Sequence, residues 1–181
     1  MSQLTVYAED QPHTPLLSTD DFDQIASELG RAGIRLERWK ADRELADDAD
    51  NDTIIAAYQA EIEKLVAEGG YQTWDVVSMH PEHPDKGEFR KKFLDEHTHS
   101  EDEVRFFVRG QGLFIMHVDD KVYSMLCEKD DLISVPANTR HWFDMGPNPT
   151  FTAIRLFNNP EGWVANFTGD DIASKFPRLD N

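Results

Sequence analysis

The stretch His97-Thr98-His99-Ser100-Glu101-Asp102-Glu103 decides the fold, because it places two histidines and a carboxylate at positions of equal parity. Successive side chains of a β-strand point to opposite faces, so residues of equal parity share one face. His97, His99 and Glu103 can therefore all point inward from a strand. The stretch predicts a metal site inside a β-structure.

A third histidine, His141, follows the turn signal Pro136-Ala137-Asn138 and opens another apolar stretch. Three imidazole nitrogens and one carboxylate oxygen would leave two positions of an octahedral metal for substrate or oxygen. Such a ligand set suits iron, nickel, manganese or cobalt, and is less typical of zinc. A His-x-His pair alone also occurs as two surface histidines. Glu103, Gly110 after the next apolar run, and His141 together favour the metal site.

The composition argues against some classes of binding partner. The chain has 181 residues, enough for one well-filled core, and a formal net charge of -17 from 35 acidic and 18 basic residues. This charge repels nucleic-acid phosphates and anionic lipids unless a basic stripe compensates. The densest basic cluster, Arg90-Lys91-Lys92, is flanked by acidic residues and is interpreted as a solvated face. We expect no nucleic-acid partner and no membrane partner.

Cysteine use and the N-terminus indicate a cytoplasmic protein. The single cysteine, Cys127, cannot form an internal disulfide, and its strand-like surroundings predict a packed, inert thiol. The first residues lack the basic and apolar regions of a signal peptide. No apolar run approaches the roughly 20 residues that a membrane span needs.

Periodicity predicts helices in the first 70 residues and strands after them. An early strand is expected at Leu4 to Tyr7, a helix from Phe22 to Gly30 capped by Thr19 or Asp20, and a helix from Thr53 to Glu68. Short strands are expected at residues 73–79, 104–108, 113–118, 122–126, 132–135 and 150–157. These strands predict an antiparallel barrel or sandwich.

Two arginines and one histidine lie on predicted strands. Arg105 shares the inward parity of the ligands, and a buried cation implies an anionic partner. That partner is either a carboxylate such as Glu101 or Glu103, or an anionic substrate chelated at the metal. For Arg155 a solvated edge arginine is one interpretation. His117 is interpreted as a structural histidine with satisfied hydrogen bonds.

The metal motif resembles the two signatures of the cupin superfamily. It departs from them by an early glycine at Gly87, by Asn138 in place of a glycine, and by Met145 in place of an asparagine, and no ligand is lost. Longer stretches resemble bacterial acireductone dioxygenases over essentially the whole chain. They cover residues 37–39, 70–76, 93–99, 102–108, 134–146 and 167–174.

The resemblance implies a mainly β fold with flanking α-helices, the cupin double-stranded β-helix or jelly-roll barrel. Residues 1–181 would form a single cupin domain, with 1–70 as a mainly helical decoration and 163–181 as a tail that wraps the barrel and includes a short helix near 170–175. The implied activity is that of a monomeric enzyme of methionine salvage, which cleaves the acireductone 1,2-dihydroxy-3-keto-5-methylthiopentene with dioxygen. One Fe(II) or Ni(II) ion per chain is implied.

The bound metal would select the products. Iron would give formate and 4-methylthio-2-oxobutanoate, whereas nickel would give formate, carbon monoxide and methylthiopropionate. The family's metal ligands match His97, His99, Glu103 and His141. Its catalytic and supporting residues match Arg105, Arg155, Glu96 and Asp102, and the expected pocket residues are Phe143, Trp163 and Phe107.

Two other functions remain open from the sequence. One is a different metal-dependent cupin with the same four ligands, such as an oxalate-type decarboxylase or a flavonol-type dioxygenase. The other is a cupin that binds ligands without catalysis. The native metal, and with it the product set, is also left open, because nitrogen and oxygen ligands accept iron and nickel alike.

Overall fold

The computed structural model describes residues 1–159 and 164–181, which form a mainly β fold flanked by helices. The helices are α1 (Phe22–Arg31), α2 (Asn51–Ala57), α3 (Gln59–Gly69) and α4 (Lys86–Leu94). The strands are β1 (Gln3–Ala8), β2 (Pro15–Thr19), β3 (Arg35–Arg38), β4 (Thr73–Met79), β5 (His97–Thr98), β6 (Glu103–Val118), β7 (Lys121–Glu128), β8 (Asp131–Val135), β9 (Arg140–Asp144), β10 (Thr150–Phe157) and β11 (Asn166–Phe167). A 3-10 turn covers Ile172–Lys175.

Strand β6 is the longest strand and pairs with four other strands of the sheet. Its first half pairs with β10 and β8, and its second half pairs with β7 and β9, always antiparallel. One path of paired strands then runs from β9 through β5 to β11, and another from β10 to β4. Because both paths start from the same long strand, the residues of β5, β6, β9 and β10 meet around one lumen.

The bend in β6 lies at Gly110, where two separate strands had been predicted. Gly110 has a φ of +69°, and a Cβ atom there would clash with the carbonyl oxygen of Thr150 on β10. The register between β6 and β10 also shifts between Thr152 and Ala153, which marks a β-bulge. The predicted break between the strands at 104–108 and 113–118 is therefore wrong, because Gly110 bends the strand here without ending it.

The predicted helix over Thr53–Glu68 is two helices, α2 and α3, separated at Tyr58. The Tyr58 side chain is buried, and its ring packs edge-on against Phe106 of β6 at 5.6 Å between ring centroids. The predicted end is confirmed, since Gly70 adopts a left-handed conformation with φ of +68°. For α1 the capping residue is Asp21, whose carboxylate accepts a hydrogen bond from the backbone N–H of Gln24.

The first 70 residues also contribute strands to the sheet. The predicted β1 is confirmed and pairs with β7, whereas β2 and β3 were not predicted. Strand β3 pairs with β8, although three of its four residues are charged. Helix α4 was not predicted either. The assignment of 1–181 to one cupin domain with a helical decoration and a wrapping tail stays a prediction.

The buried residues fill the barrel and the space between its outer face and the helices. Cys127 lies in the barrel core, and burial raises the pKa of its thiol well above the ordinary value, so the predicted packed thiol is confirmed. At the chain's end, Phe176 packs against Tyr7 and Trp142. Among the described residues, no helix is long and apolar enough to cross a bilayer.

Candidate metal centre

Three histidines converge at one end of the barrel. His97 of β5 lies directly opposite His141 of β9 in the sheet, and His99 follows β5. One ring nitrogen of each of the three lies within 4.8 Å of the others, and all three side chains are buried. The sequence prediction that these histidines meet is borne out by this geometry.

The backbone fixes which nitrogen of each ring faces the cluster. The Nδ1 atoms of His97 and His141 lie 2.7 and 2.8 Å from the carbonyl oxygens of Asp95 and Thr139. Nδ1 of His99 lies 3.0 Å from the carbonyl oxygen of Val164. Because a carbonyl only accepts, each Nδ1 carries the proton and each Nε2 presents a lone pair. This is the tautomer that a metal ligand requires.

Burial also keeps two of these rings, His97 and His141, neutral. It lowers the pKa of His97, and it lowers the pKa of His141 to about 3. The cause is the loss of hydration, which disfavours the imidazolium form. At neutral pH both rings are therefore available as electron-pair donors.

Glu103, the first residue of β6, completes the cluster. Its Oε2 lies 3.5 Å from Nε2 of His99 and 3.6 Å from Nε2 of His141. Burial alone would raise the pKa of Glu103, but Arg105, His141 and His99 outweigh it and lower the pKa to about 2. The carboxylate is thus ionised at neutral pH.

The second carboxylate oxygen of Glu103 indicates whether the site suits a metal ion. Oε2 is buried and has no hydrogen-bond partner within the described part of the chain. Arg105 pairs with the other carboxylate oxygen, Oε1, so Oε2 is a buried anionic oxygen without a donor among the described residues, and such an arrangement is costly unless a cation completes it. Three nitrogens and one oxygen are a donor set that first-row divalent ions accept. The residues present therefore fit a metal ion.

The parity argument was right that these side chains converge and wrong that one strand carries them all. β5 ends at Thr98 and β6 begins at Glu103, so the inward direction of Glu103 comes from a second strand. The chain between them is held by the turn that precedes His141. The Asn138 N–H donates to the His99 carbonyl oxygen at 2.8 Å, and Asn138 has a φ of +63°.

Asp102 supports this turn from the other side. Its Oδ1 accepts a hydrogen bond of 2.7 Å from the backbone N–H of Ala137. The contact ties the start of β6 to the segment that carries His141. Asp102 is not among the described residues that line the cavity beside the cluster, and its supporting role stays a prediction.

A cavity of about 240 Å³ opens beside the cluster. The described residues that line it are Lys92, Phe93, His97, His99, Arg105, His141, Phe143, Arg155, Ala165 and Phe167. Its wall thus combines the three histidines with aromatic rings and three cationic side chains. This is a concave, partly apolar site with few convergent polar groups, as expected of a small-molecule pocket.

Arg105 joins the cavity to the cluster. Its Nη2 donates to Oε1 of Glu103 at 2.6 Å, and its guanidinium carbon lies 5.0 and 4.8 Å from the ring centroids of Phe114 and Phe143. Its Nε is buried and has no partner in the described parts of the chain. Of the alternatives weighed for Arg105, the structure shows the carboxylate partner, Glu103, and leaves Nε available to a further acceptor. The anionic substrate stays a prediction.

Arg155 is not a solvated edge residue, and that interpretation is corrected. Its Nε and Nη2 donate to the two oxygens of Asp75 at 2.9 and 2.7 Å, and only 13% of its side chain is exposed. Asp75 and Arg105 are the partners of Arg155 in the neighbouring strands β4 and β6. The strand pairing therefore brings both arginines to the same cavity.

Of the remaining predicted site residues that the structure describes, Phe143 alone lines the cavity. Phe143 lines the cavity, whereas Phe107 is buried behind it, with 6.4 Å between the two ring centroids. Glu96 is buried, faces away from the cavity, and accepts hydrogen bonds from Thr168 Oγ at 2.9 Å and from His117. Trp163 lies outside the described residues.

His117 is confirmed as a histidine with satisfied hydrogen bonds. Its Nδ1 lies 2.7 Å from Glu96 Oε2, and its Nε2 lies 2.8 Å from Glu9 Oε2. The contacts tie His117 of β6 to Glu9, which follows β1, and to Glu96, which precedes His97. His117 and its two partners are not among the described residues that line the cavity.

Four lining residues were not predicted, namely Lys92, Phe93, Ala165 and Phe167. Phe93 and Phe167 lie within the stretches that resemble acireductone dioxygenases. That resemblance was the only feature of the sequence that could have pointed to them. The interpretation of Arg90-Lys91-Lys92 as one solvated face is also wrong. Arg90 forms a bidentate pair with the buried Asp144, and Lys92 lines the cavity.

The sequence model of the ARD/ARD′ family matches residues 3–165. This chain belongs to the ARD/ARD′ family. The family resemblance drawn from the sequence is thereby confirmed. It also agrees with the convergence of His97, His99 and His141 in the structure.

Named relatives of this ARD/ARD′ chain span its full length. It is 61% identical over 181 residues to acireductone dioxygenase of Pseudomonas aeruginosa, with 100% of both chains covered. It is 59% identical over 180 residues to the Serratia proteamaculans protein of that name, with 99% of this chain and 100% of the relative covered.

A solved structure shares the fold. It is acireductone dioxygenase from Bacillus anthracis with a cadmium ion in its active centre, and it is 30% identical to this chain. The two superpose with a TM-score of 0.79 over 92% of this chain and 98% of that chain. The mainly β cupin fold expected from the sequence is confirmed.

Proposed function

We propose that this chain is an acireductone dioxygenase that cleaves 1,2-dihydroxy-3-keto-5-methylthiopentene with dioxygen in methionine salvage. The observation that carries the proposal is the cluster of three buried histidines and a carboxylate oxygen without a hydrogen-bond donor in the described part of the chain, beside a cavity with cationic walls. Full-length relatives of that name, at 59% and 61% identity, support it. The monomeric state and cytoplasmic location expected from the sequence stay predictions.

The metal would be held by Nε2 of His97, His99 and His141 and by Oε2 of Glu103. When bound, Fe(II) or Ni(II) would supply Lewis-acid chemistry toward the oxygens of the substrate and dioxygen. The hydrogen bonds from the three Nδ1 atoms to backbone carbonyls hold the rings in the required tautomer and raise their basicity.

Arg105 would bind the anion of the substrate. An enediol conjugated with a ketone is a vinylogous carboxylic acid, so it loses a proton readily and spreads the charge over its oxygens. The unpartnered Nε of Arg105 can donate to one of these oxygens, while Nη2 stays on Glu103. Because Arg105 is buried between aromatic rings, its charge acts in a medium of low polarisability and is felt strongly.

The cavity wall would orient the rest of the substrate and keep water out. The rings of Phe93, Phe143 and Phe167 supply an apolar surface for the methylthio group. Arg155, held by Asp75, adds a second fixed cation on the opposite strand. A fixed charge does not have to reorganise when the substrate becomes electron-rich, and this is the benefit of the Asp75 clamp.

The two product sets follow from which carbon–carbon bonds break. Formate with 4-methylthio-2-oxobutanoate contains all atoms of the substrate and one dioxygen, and so does formate with carbon monoxide and methylthiopropionate. We propose that iron directs the first outcome and nickel the second. Nothing in the donor set excludes either ion.

The test is reconstitution of one protein preparation with each metal. The protein is stripped with a chelator, loaded without oxygen with Fe(II) or Ni(II), and mixed with the acireductone and oxygen. We expect the 2-oxo acid and formate from the iron form, and carbon monoxide with formate from the nickel form. The stripped protein, treated identically, is the control and should give neither.

Two results would overturn the proposal. One is a metal-loaded protein that leaves the acireductone unchanged while it converts oxalate or a flavonol, which would indicate a different cupin enzyme. The other is a protein that retains no metal from a purification without chelators and none after loading, which would indicate a cupin without this chemistry.

A further inference from the structure

Three consecutive basic residues of α4 have three different environments. Arg90 donates to both oxygens of Asp144, at 2.7 and 3.1 Å, and only 22% of its side chain is exposed. Lys91 is exposed and pairs with Glu88 on the helix surface at 3.4 Å. Lys92 instead lines the cavity beside the candidate metal centre. The three residues therefore have different effects on the site.

Lys92 differs from the other cations of the cavity in its partners. Arg105 pairs with Glu103, and Arg155 pairs with Asp75. Lys92 has no ion-pair partner among residues 1–159 and 164–181, and its Nζ lies 5.8 Å from the ring centroid of Phe93. Its positive charge is therefore the one on the cavity wall that no described carboxylate offsets.

The positive charge of Lys92 stands out against the strongly negative net charge of the chain. The net charge of the chain is -17, so an approaching anion meets a repulsive field over most of the surface. Lys92 is exposed and also lines the cavity, so this residue lies on the solvent side of the cavity. A local positive charge at a cavity entrance raises the local concentration of an anion and its rate of capture.

We propose that Lys92 is a capture residue that draws the anionic substrate into the cavity. The inference rests on the proposed function, because it takes the enediol anion as the ligand. Arg105 is buried beside the cluster and would bind the anion at the reacting end, whereas Lys92 would act before that, at the entrance. Lys92 should therefore affect the capture of substrate and leave the chemical step unchanged.

The structure offers a matched control for this experiment. Lys92→Gln and Lys91→Gln change the net charge equally, lie on adjacent positions of α4, and differ in whether the side chain lines the cavity. Lys92→Arg keeps the charge and serves as the conservative variant. Both lysines are exposed, so these variants should fold like the parent, and circular dichroism with thermal melting checks that they do.

The measurement is steady-state turnover of the acireductone by the metal-loaded enzyme at two ionic strengths. At about 0.01 M the Debye length is roughly 30 Å, and at about 0.3 M it is only several Å, so charge effects are strong and then weak. We expect Lys92→Gln to raise KM about three- to tenfold at the low ionic strength with kcat unchanged. The difference should shrink below about twofold at the high ionic strength, and Lys91→Gln and Lys92→Arg should resemble the parent.

Each other outcome has a distinct meaning. An unchanged KM for Lys92→Gln at low ionic strength overturns the inference, and so does an equal effect of Lys91→Gln, which would make the effect one of net charge. A fall in kcat without a change in KM would place Lys92 in the chemical step and also contradict it. A parent enzyme with no acireductone turnover overturns the proposed function, and the inference with it.

Discussion

Glu103 and Arg105, two residues apart on β6, share a hydrogen bond of 2.6 Å between Oε1 and Nη2. The other carboxylate oxygen of Glu103 faces the histidines, and the Nε of Arg105 is left for a ligand of the cavity. One side chain pair thus connects the candidate metal to the candidate substrate. A substitution of Arg105 should therefore change substrate turnover, and a substitution of a histidine should change metal affinity.

Replacement of Arg105 by glutamine should separate these two roles. We expect Arg105→Gln to keep its metal and to lose about a hundredfold in kcat, the scale for loss of one donor to a reacting anion. Arg109→Gln is the matched control on the same strand, because its guanidinium donates to the backbone oxygens of Ala46 and Asp47. Elemental analysis and turnover are measured on the same samples. Unchanged kcat would remove Arg105 from the mechanism.

Replacement of His99 by alanine should instead remove the metal. The variant loses a donor, whereas loss of a residue that only supports a ligand already costs about 10- to 100-fold in affinity. We therefore expect metal affinity to fall by more than about a hundredfold. His80→Ala, at an exposed position outside the cluster, should bind metal like the parent. A fully occupied His99→Ala protein would contradict the ligand assignment.

The pair of Arg90 and Asp144 should stabilise the fold in a pH-dependent way. Burial alone would raise the pKa of Asp144, but Arg90 and the N–H groups of Gly146 and Leu179 lower it below the ordinary 3.8. A carboxyl whose folded pKa is lowered stabilises the protein fully above its unfolded pKa. That stabilisation is lost as the pH falls through the folded value.

Replacement of Arg90 by glutamine should expose this dependence. We expect Arg90→Gln to lower the free energy of unfolding at pH 7 by about 2–4 kcal/mol, because it leaves the buried Asp144 carboxylate without its cation. Lys91→Gln should have little effect, since its pair is exposed. Urea unfolding at a series of pH values checks this. A difference between parent and Arg90→Gln that grows below pH 4 would contradict the sign.

The bend of β6 gives a test of the barrel itself. Gly110→Ala should lower the free energy of unfolding by at least about 1–3 kcal/mol, the cost of a left-handed conformation for a residue with a side chain. The clash with the Thr150 carbonyl oxygen adds to it. Gly87→Ala in α4, where a Cβ meets nothing within 4 Å, should be neutral or stabilising by up to about 1 kcal/mol. Equal effects of the two substitutions would contradict this account of β6.

Much of the site could be predicted from the sequence because its residues are close in the chain or carry their own signal. His97 and His99 share a face by alternation, and the turn before His141 marks the second segment. The distance between segments could not be derived from spacing alone. It depends on the pairing of β5 with β9 through His97 and His141, which leaves no local signal in either strand.

The errors come from tertiary contacts that override local patterns. Gly110 resembles a turn residue, yet β10 pairs on both sides of it and keeps the strand continuous. Strand β3 has charged residues at most positions because only Leu36 faces the core. Arg90 pairs with Asp144 and Lys92 lines the cavity because different faces of α4 meet these two surroundings. Three adjacent basic residues in a sequence do not reveal which face each one occupies.

The most direct test of the central claim is a crystal structure of the nickel-loaded protein with anomalous diffraction measured at the nickel edge. The account predicts one anomalous peak per chain within coordination distance of Nε2 of His97, His99 and His141 and of Oε2 of Glu103, with its open side on the cavity that holds Arg105. A peak bound by fewer than three of these histidines, or one located away from this cavity, would contradict it.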